Sequence, residues 1–162
     1  YAGYTAELLD RFTYDEDDNT HRLFHLLDTT FDRLCTDTDP RRVVRYYEMR
    51  LLDEVGFRPE LQECVITREA IQPEDQFFSY EAGGVVSQAG ASQTAGLIPL
   101  PMVTLKIMRY LQRSRYDTVQ SLTIREALHT DLERVMLGYM TYILESRLQS
   151  VQFIRQIRRF SS

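Results

Sequence analysis

This chain is short of the residues and patterns on which several kinds of protein depend. It has two cysteines, Cys35 and Cys64, too few for a disulfide framework, and nothing in it points to an oxidising compartment. No run of about 20 apolar residues is present to span a bilayer, and no basic segment followed by an apolar one opens the chain as a secretory signal would. Positive charge is not in excess. The 19 lysines and arginines face 24 aspartates and glutamates, for a net charge of −5. That balance argues against wholesale phosphate binding while leaving room for a local basic face. Phosphate loops, Gly-x-Ser-x-Gly turns and a cysteine–histidine pair with a third member are all missing, so catalysis has little support. A cytoplasmic, non-enzymatic protein with no membrane segment is the expectation.

What is present reads as a folded domain. With 43% hydrophobic and 27% charged residues over 162 positions, the chain can bury a real core as one domain, or as one domain carrying a small subdomain. It opens on Tyr1 instead of methionine, which is expected of an excerpt. The segment 39–64 organises the rest. Asp39 can cap a helix and Pro40 suits its first position; Val44, Tyr47, Leu51 and Val55 share one face with Leu52 beside them, and Gly56 supplies the stop. Arg41, Arg42 and Arg45 make a basic group at its start, which Asp37 and Asp39 are close enough to neutralise.

Before this helix, the spacing predicts helices over 1–13 and 20–35. Between them Asp15, Glu16, Asp17 and Asp18 lack the glycine of a calcium loop and read as a solvated turn. In the second helix Leu23, Leu27, Phe31 and Leu34 form a stripe that Phe24 and Leu26 widen, implying burial against more than one partner. His21 and His25 lie four apart, but Arg22 stands where the zinc-protease pattern HExxH has glutamate, so they read as surface histidines or partners of nearby acids. Cys35 reads as a small buried apolar residue.

After Cys64 the periodicity changes. Val65–Ile66, Phe77–Phe78 and Val85–Val86 read as three short strands, and Gly83-Gly84 as a tight turn, not a nucleotide loop. Asp75 and Glu81 read as solvated acids, and 87–96 as a loose segment with little to bury. A helix over 99–114 follows, with Leu100, Val103, Ile107, Tyr110 and Leu111 apolar and Pro101 in its first turn. Its other side carries Lys106, Arg109 and Arg113 at spacings of three and four, next to Tyr110 and followed by Arg115. Thr123-x-x-Glu126 and Thr130-x-x-Glu133 are capping-box patterns, so a short helix or turn is expected before a longer one. The longer one carries Leu132, Val135, Met136, Tyr139, Met140 and Ile143. Arg147 falls on the same arc, so either the helix ends or bends there, or Arg147 pairs with a carboxylate such as Glu48. Ser150 can cap a last helix with Val151, Ile154 and Ile157, tipped by Arg155, Arg158 and Arg159, which a helix C-terminus favours without any ligand. The fold class is mainly α: a helical bundle-like domain around Tyr47, Leu51 and Tyr139 with a small β insert.

Four phrases, YYEMRLLDEVGFRPELQEC, FFSYEAGGVVSQAG, PLPMVTLKIM and YILESRLQSVQFI, with the opening YTAELLDRF and HRLFHLLDTTFDRL, resemble the C-terminal region of the bacterial recombination mediator family RecO. The resemblance runs in family order over almost the whole chain. It implies a helical domain over 1–162 with a zinc-ribbon-like β subdomain inserted at 64–93, and an N-terminal OB-fold domain that is absent here. Members often hold zinc with two Cys-x-x-Cys pairs, whose positions in this chain are Cys64 and Thr67, then Ser87 and Gly90. Only one of the four can supply a thiolate, and His129 is isolated in sequence. The ribbon outline is therefore expected without the metal or any other cofactor, steadied by Phe77, Phe78, Val85 and Val86 packing on the helices.

The resemblance also implies a non-enzymatic role in DNA repair and homologous recombination: helping exchange the single-strand-binding protein SSB for RecA together with RecR, and annealing complementary strands. The implied partners are RecR, the acidic C-terminal tail of SSB, single- and double-stranded DNA mainly through the full-length protein, and RecA indirectly. Lys106, Arg109, Tyr110, Arg113 and Arg115 are the expected contact face for the SSB tail or a DNA backbone, with Arg155, Arg158 and Arg159 a further phosphate-contacting group. The competing readings are an ordinary wet helix face, and a helical protein-interaction module with no direct nucleic-acid role.

Overall fold

The computed structural model describes residues 1–13 and 20–160; the acidic turn expected at 14–19 lies outside them. Helices α1 (Ala2–Phe12) and α2 (Thr20–Thr36) lead into α3 (Pro40–Glu54). Strands β1 (Gln76–Ser79) and β2 (Gly84–Val86), the short helix α4 (Gln88–Ala91) and strand β3 (Leu97–Leu100) follow. Helices α5 (Met102–Arg113), α6 (Tyr116–Val119) and α7 (Glu126–Phe160) complete the described chain. The domain is mainly helical, with one antiparallel three-stranded sheet in the order β2-β1-β3.

Asp39 caps α3 by accepting the backbone N–H of Arg42, Pro40 sits in its first turn, and Gly56 beyond its end has φ +86°. The helix does not bury one face, as its apolar spacing suggests. Every residue from Arg42 to Met49 is buried, together with Leu51 and Leu52, because α1, α2, α5 and α7 all pack against it. Charged side chains held in such a place must be paired. Arg45 Nε lies 3.2 Å from Glu48 Oε2, and the Tyr4 hydroxyl donates to Glu48 Oε1 at 2.5 Å. Burial pushes the Glu48 carboxyl up, against the opposing pull of Arg45 and Tyr4. Arg42 pairs with Asp37, which also accepts the Tyr116 hydroxyl, and Arg41 Nη1 meets both oxygens of Glu126 at 2.7 and 2.8 Å. All three arginines that open α3 are paired, but only Arg42 meets one of the two carboxylates expected to neutralise them; Arg41 takes Glu126 and Arg45 takes Glu48. His129, isolated in sequence, is buried with its Nε2 2.9 Å from Asp39 Oδ2.

The sheet differs from its expected strands in one respect. Val65 and Ile66 lie in a turn, although the Val65 N–H still donates to the Val85 carbonyl at 2.9 Å. The third strand is Leu97–Leu100, whose last two residues were expected to start a helix over 99–114; α5 begins only after Pro101. Asp75 is exposed, as expected, and its Oδ1 also accepts the Met102 N–H at 2.9 Å at the start of α5. The segment after β2 is ordered, with Ser87 capping α4 through the Gly90 N–H. Gly83 takes φ +73° in the hairpin turn, and a Cβ on Gly84 would lie 2.5 Å from the Glu60 carbonyl oxygen. Phe78 and Val85 enter the same core as Tyr47, Leu51 and Tyr139.

Helix α7 runs unbroken for 35 residues, about 52 Å at the usual rise. Neither Thr130 nor Ser150 caps a helix; each donates to the carbonyl four residues earlier, at 3.2 and 3.0 Å. Arg147 does not reach Glu48. It donates to the Phe12 carbonyl at 3.3 Å, and its guanidinium stands 5.9 and 5.6 Å from the Phe12 and Phe57 rings. Helix α2 is less enclosed than its broad stripe implies: Leu23 and Thr30 are its buried residues and Phe24 is 58% exposed. His21 and His25 are exposed, and so is Cys35, which is not the buried residue its position suggested.

Two outcomes follow from this packing. Burial alone would raise the Asp37 carboxyl, but hydrogen bonds from Tyr116, the Asp39 N–H and Arg42 outweigh it and hold the group below its ordinary value. Its folded value is the lower one, so its contribution is full above the unfolded value and is lost as pH falls through the folded one. Asp37→Asn is expected to remove about 3–5 kcal/mol at neutral pH and to flatten the acid limb below about pH 4, measured as urea midpoints against pH. Gly84→Ala is expected to lose about 2–4 kcal/mol by driving β2 from the Glu60 carbonyl, read by calorimetry.

Candidate partner-binding surface

The basic residues of α5 are spaced as one stripe but are held differently. Leu105, Ile107, Met108 and Leu111 point inward, which leaves Lys106 and Arg113 exposed and Arg109 half-buried at the edge. Arg109 Nε donates to the Leu61 carbonyl at 2.8 Å. Its guanidinium pKa is lowered, chiefly by burial and then by Arg113, with Glu60 opposing. Arg113 stands 6.0 Å from the Tyr110 ring centroid, and the Tyr110 hydroxyl donates to the Thr118 carbonyl at 3.3 Å. Arg115, at the start of α6, is exposed. The face therefore offers Lys106, Arg113 and Arg115 to solvent around a fixed aromatic ring, while Arg109 also ties α5 to the loop after α3.

Arg155, Arg158 and Arg159 are exposed on the far part of α7. The buried residues of that helix end at Ile143, about 18 Å of helix before Arg155. The two basic groups thus belong to different elements. Sequence spacing gave little sign of a third feature, a cavity of about 890 Å³ between the β1–β2 turn, the loop after α3 and the middle of α7. Phe57, Tyr139, Tyr142 and Leu148 line it, and Arg58 and Arg147 stand at it. Its one legible trace was Arg147 on an otherwise apolar arc.

The four positions that stand where zinc ligands would be do meet in space. The Cys64 sulfur, fully buried, accepts the Thr67 N–H at 3.4 Å and the Ser87 N–H at 3.3 Å. Burial acts to raise this thiol, but hydrogen bonds from Ser87 and Thr67 outweigh it and lower it to about 6. The donor set does not fit zinc, which needs four thiolate or imidazole ligands in a structural site: one position has no side chain and two offer only hydroxyls. Among the described residues no three His, Cys, Asp or Glu side chains are grouped to hold a metal ion.

The different roles within the α5 stripe can be separated by stability. Arg109→Ala, which leaves the Leu61 carbonyl without its donor, is expected to lose about 1–3 kcal/mol. Lys106→Ala is expected to stay within about 0.5 kcal/mol of the parent, both by urea unfolding.

Comparison with known proteins supplies the family. The model described as "Recombination protein O C terminal" matches residues 1–152. The chain is 28% identical over 157 residues to a DNA repair protein RecO from Dehalococcoides mccartyi, covering 97% of this chain and 61% of that one. It is 30% identical over 158 residues to that of Roseiflexus sp., covering 98% and 56%, and 24% identical over 160 residues to that of Bacillus cereus, covering 99% and 63%. The chain spans about three fifths of the length of these relatives. Matched along nearly all of its helices and through its β insert, the chain belongs to the RecO C-terminal family.

Proposed function

We propose that this chain is the partner- and DNA-contacting part of a non-enzymatic recombination mediator. It acts in the cytoplasm during DNA repair, helping exchange SSB for RecA together with RecR, and contributing to strand annealing. In this reading 1–162 is one helical domain with 64–93 inserted as a subdomain, and single- and double-stranded DNA are held mainly by the full-length protein. RecA is reached indirectly.

The observation that carries the reading is the α5 face, where exposed Arg113 stands 6.0 Å from the Tyr110 ring and exposed Lys106 lies one turn before that ring on the same helix. An acidic tail ending in an aromatic residue and a carboxylate needs cations beside an apolar surface. Arg115 extends the face, and Arg155, Arg158 and Arg159 offer a separate backbone-contacting group whose contribution would fall with salt. A second position for the same tail is favoured by the cavity at Arg147, which joins aromatic walls to a guanidinium.

The test is titration of an SSB-tail peptide into the chain at low salt. Lys106→Glu with Arg113→Glu is expected to weaken binding by about tenfold or more, the loss of one or two charge-assisted hydrogen bonds. Arg109 is left in place because it supports the fold. Unchanged affinity in that variant, with loss in Arg147→Leu, moves the contact to the cavity. Parent protein that binds neither tail nor DNA leaves the interaction-module reading in place of this one.

A further inference from the structure

The family resemblance and the side chains present disagree about what holds the β insert together, and the disagreement has a structural answer. Two turns face each other, one following Cys64 and one following β2. The first is closed by the Arg68 N–H donating to the Cys64 carbonyl at 2.9 Å, with Arg68 at φ +65°. The second is closed by Ser87 Oγ accepting the Gly90 N–H at 3.1 Å. Between them lies a single sulfur atom, 3.4 Å from the Thr67 nitrogen and 3.3 Å from the Ser87 nitrogen.

Gly90 completes the arrangement. A Cβ there would stand 2.8 Å from Cys64 Sγ, 3.0 Å from Val86 Cγ1 and 3.3 Å from Ile66 Cβ. The space that a ligating side chain at 90 would need is already taken by the sulfur and two branched aliphatic neighbours. Thr67 and Ser87 reach the sulfur through their backbone N–H groups, and their hydroxyls, which also act on the thiol, are not zinc ligands.

We infer that the Cys64 sulfur does here what a metal ion would do, joining the two turns by accepting one N–H from each, and that the insert folds without metal. Sulfur suits this place for a plain geometric reason. Nitrogen–sulfur contacts of 3.3–3.4 Å are normal hydrogen bonds to a large, soft acceptor, whereas an oxygen on the shorter C–O bond would sit beyond the usual 2.7–3.2 Å reach of N–H to oxygen. The join also matters beyond the two turns. Val65, next to Cys64, donates to the Val85 carbonyl at 2.9 Å, and β2 carries Val85 and Val86 into the interior. What the sulfur secures is therefore the hairpin whose Phe78 meets Tyr139 of α7 edge-on, with ring centroids 5.4 Å apart.

The experiment uses the full 162-residue chain. Elemental analysis and native mass spectrometry measure bound zinc; amide hydrogen exchange follows Thr67, Ser87 and the amides of α3 with and without chelator. The inference expects no retained zinc and no change with chelator. Cys64→Ala and Cys64→Ser are each expected to speed exchange at Thr67 and Ser87 by about tenfold or more while α3 stays protected. Should Cys64→Ala fail to fold, the serine variant decides. Stoichiometric zinc, chelator-induced exchange, or unchanged Thr67 and Ser87 amides in a folded variant would overturn the inference.

Discussion

The fold depends on burying a charged helix at its centre. α3 has neighbours on all sides, so Arg42, Arg45 and Glu48 cannot turn to water. Each is anchored by a partner from another part of the chain or its own next turn: Asp37 and the Leu122 carbonyl for Arg42, Glu48 for Arg45, Tyr4 for Glu48. Apolar packing tolerates sliding of one helix past another, but a buried ion pair with directed hydrogen bonds does not. With Tyr116 of α6 on Asp37 and His129 of α7 on Asp39, these contacts fix the register of α1, α6 and α7 against α3.

The same constraint positions the exposed basic face of α5. Arg50 Nη2 reaches the Leu111 and Ser114 carbonyls at 2.7 and 2.9 Å, satisfying acceptors that the end of α5 leaves open. Gln112 donates to the Pro59 carbonyl at 2.9 Å, and Arg109 to that of Leu61. The inner side and one edge of α5 are thus committed to α3 and the loop after it. Lys106 and Arg113 face outward because the positions beside them are occupied in this way. At the other end, the Tyr139 hydroxyl donates to the Phe57 carbonyl at 2.9 Å, which ties the loop after α3 to α7 and shapes the cavity beside Arg147.

The readable and unreadable features divide by the range of the interactions behind them. Asp39 as a cap, Pro40 in a first turn and Gly56 as a stop are decided within a few residues, and the spacing displayed them. The Gly83–Gly84 turn was legible for the same reason. The strand at Leu97–Leu100 was not, because its apolar residues suit a helix equally well and only pairing with β1 selects the extended form. Ser150 looked like a cap because capping residues and exposed mid-helix serines are the same residue type; nothing local stops α7 there. Cys35 looked buried because cysteine usually is, whereas it lies on the exposed part of α2 near that helix's end.

By itself the sequence determined the start and stop of α3, the mainly helical class, the family phrases and the want of thiolates at three of four ligand positions. These are properties of residue type and near-neighbour spacing, which survive in a one-dimensional reading. Only the tertiary structure decided that Arg42 and Arg45 are internal ties, that His129 meets Asp39, that Arg109 is half committed to the fold, and that one sulfur gathers two distant turns. Each of those depends on which groups lose water together, and that is set by the packing of elements tens of residues apart.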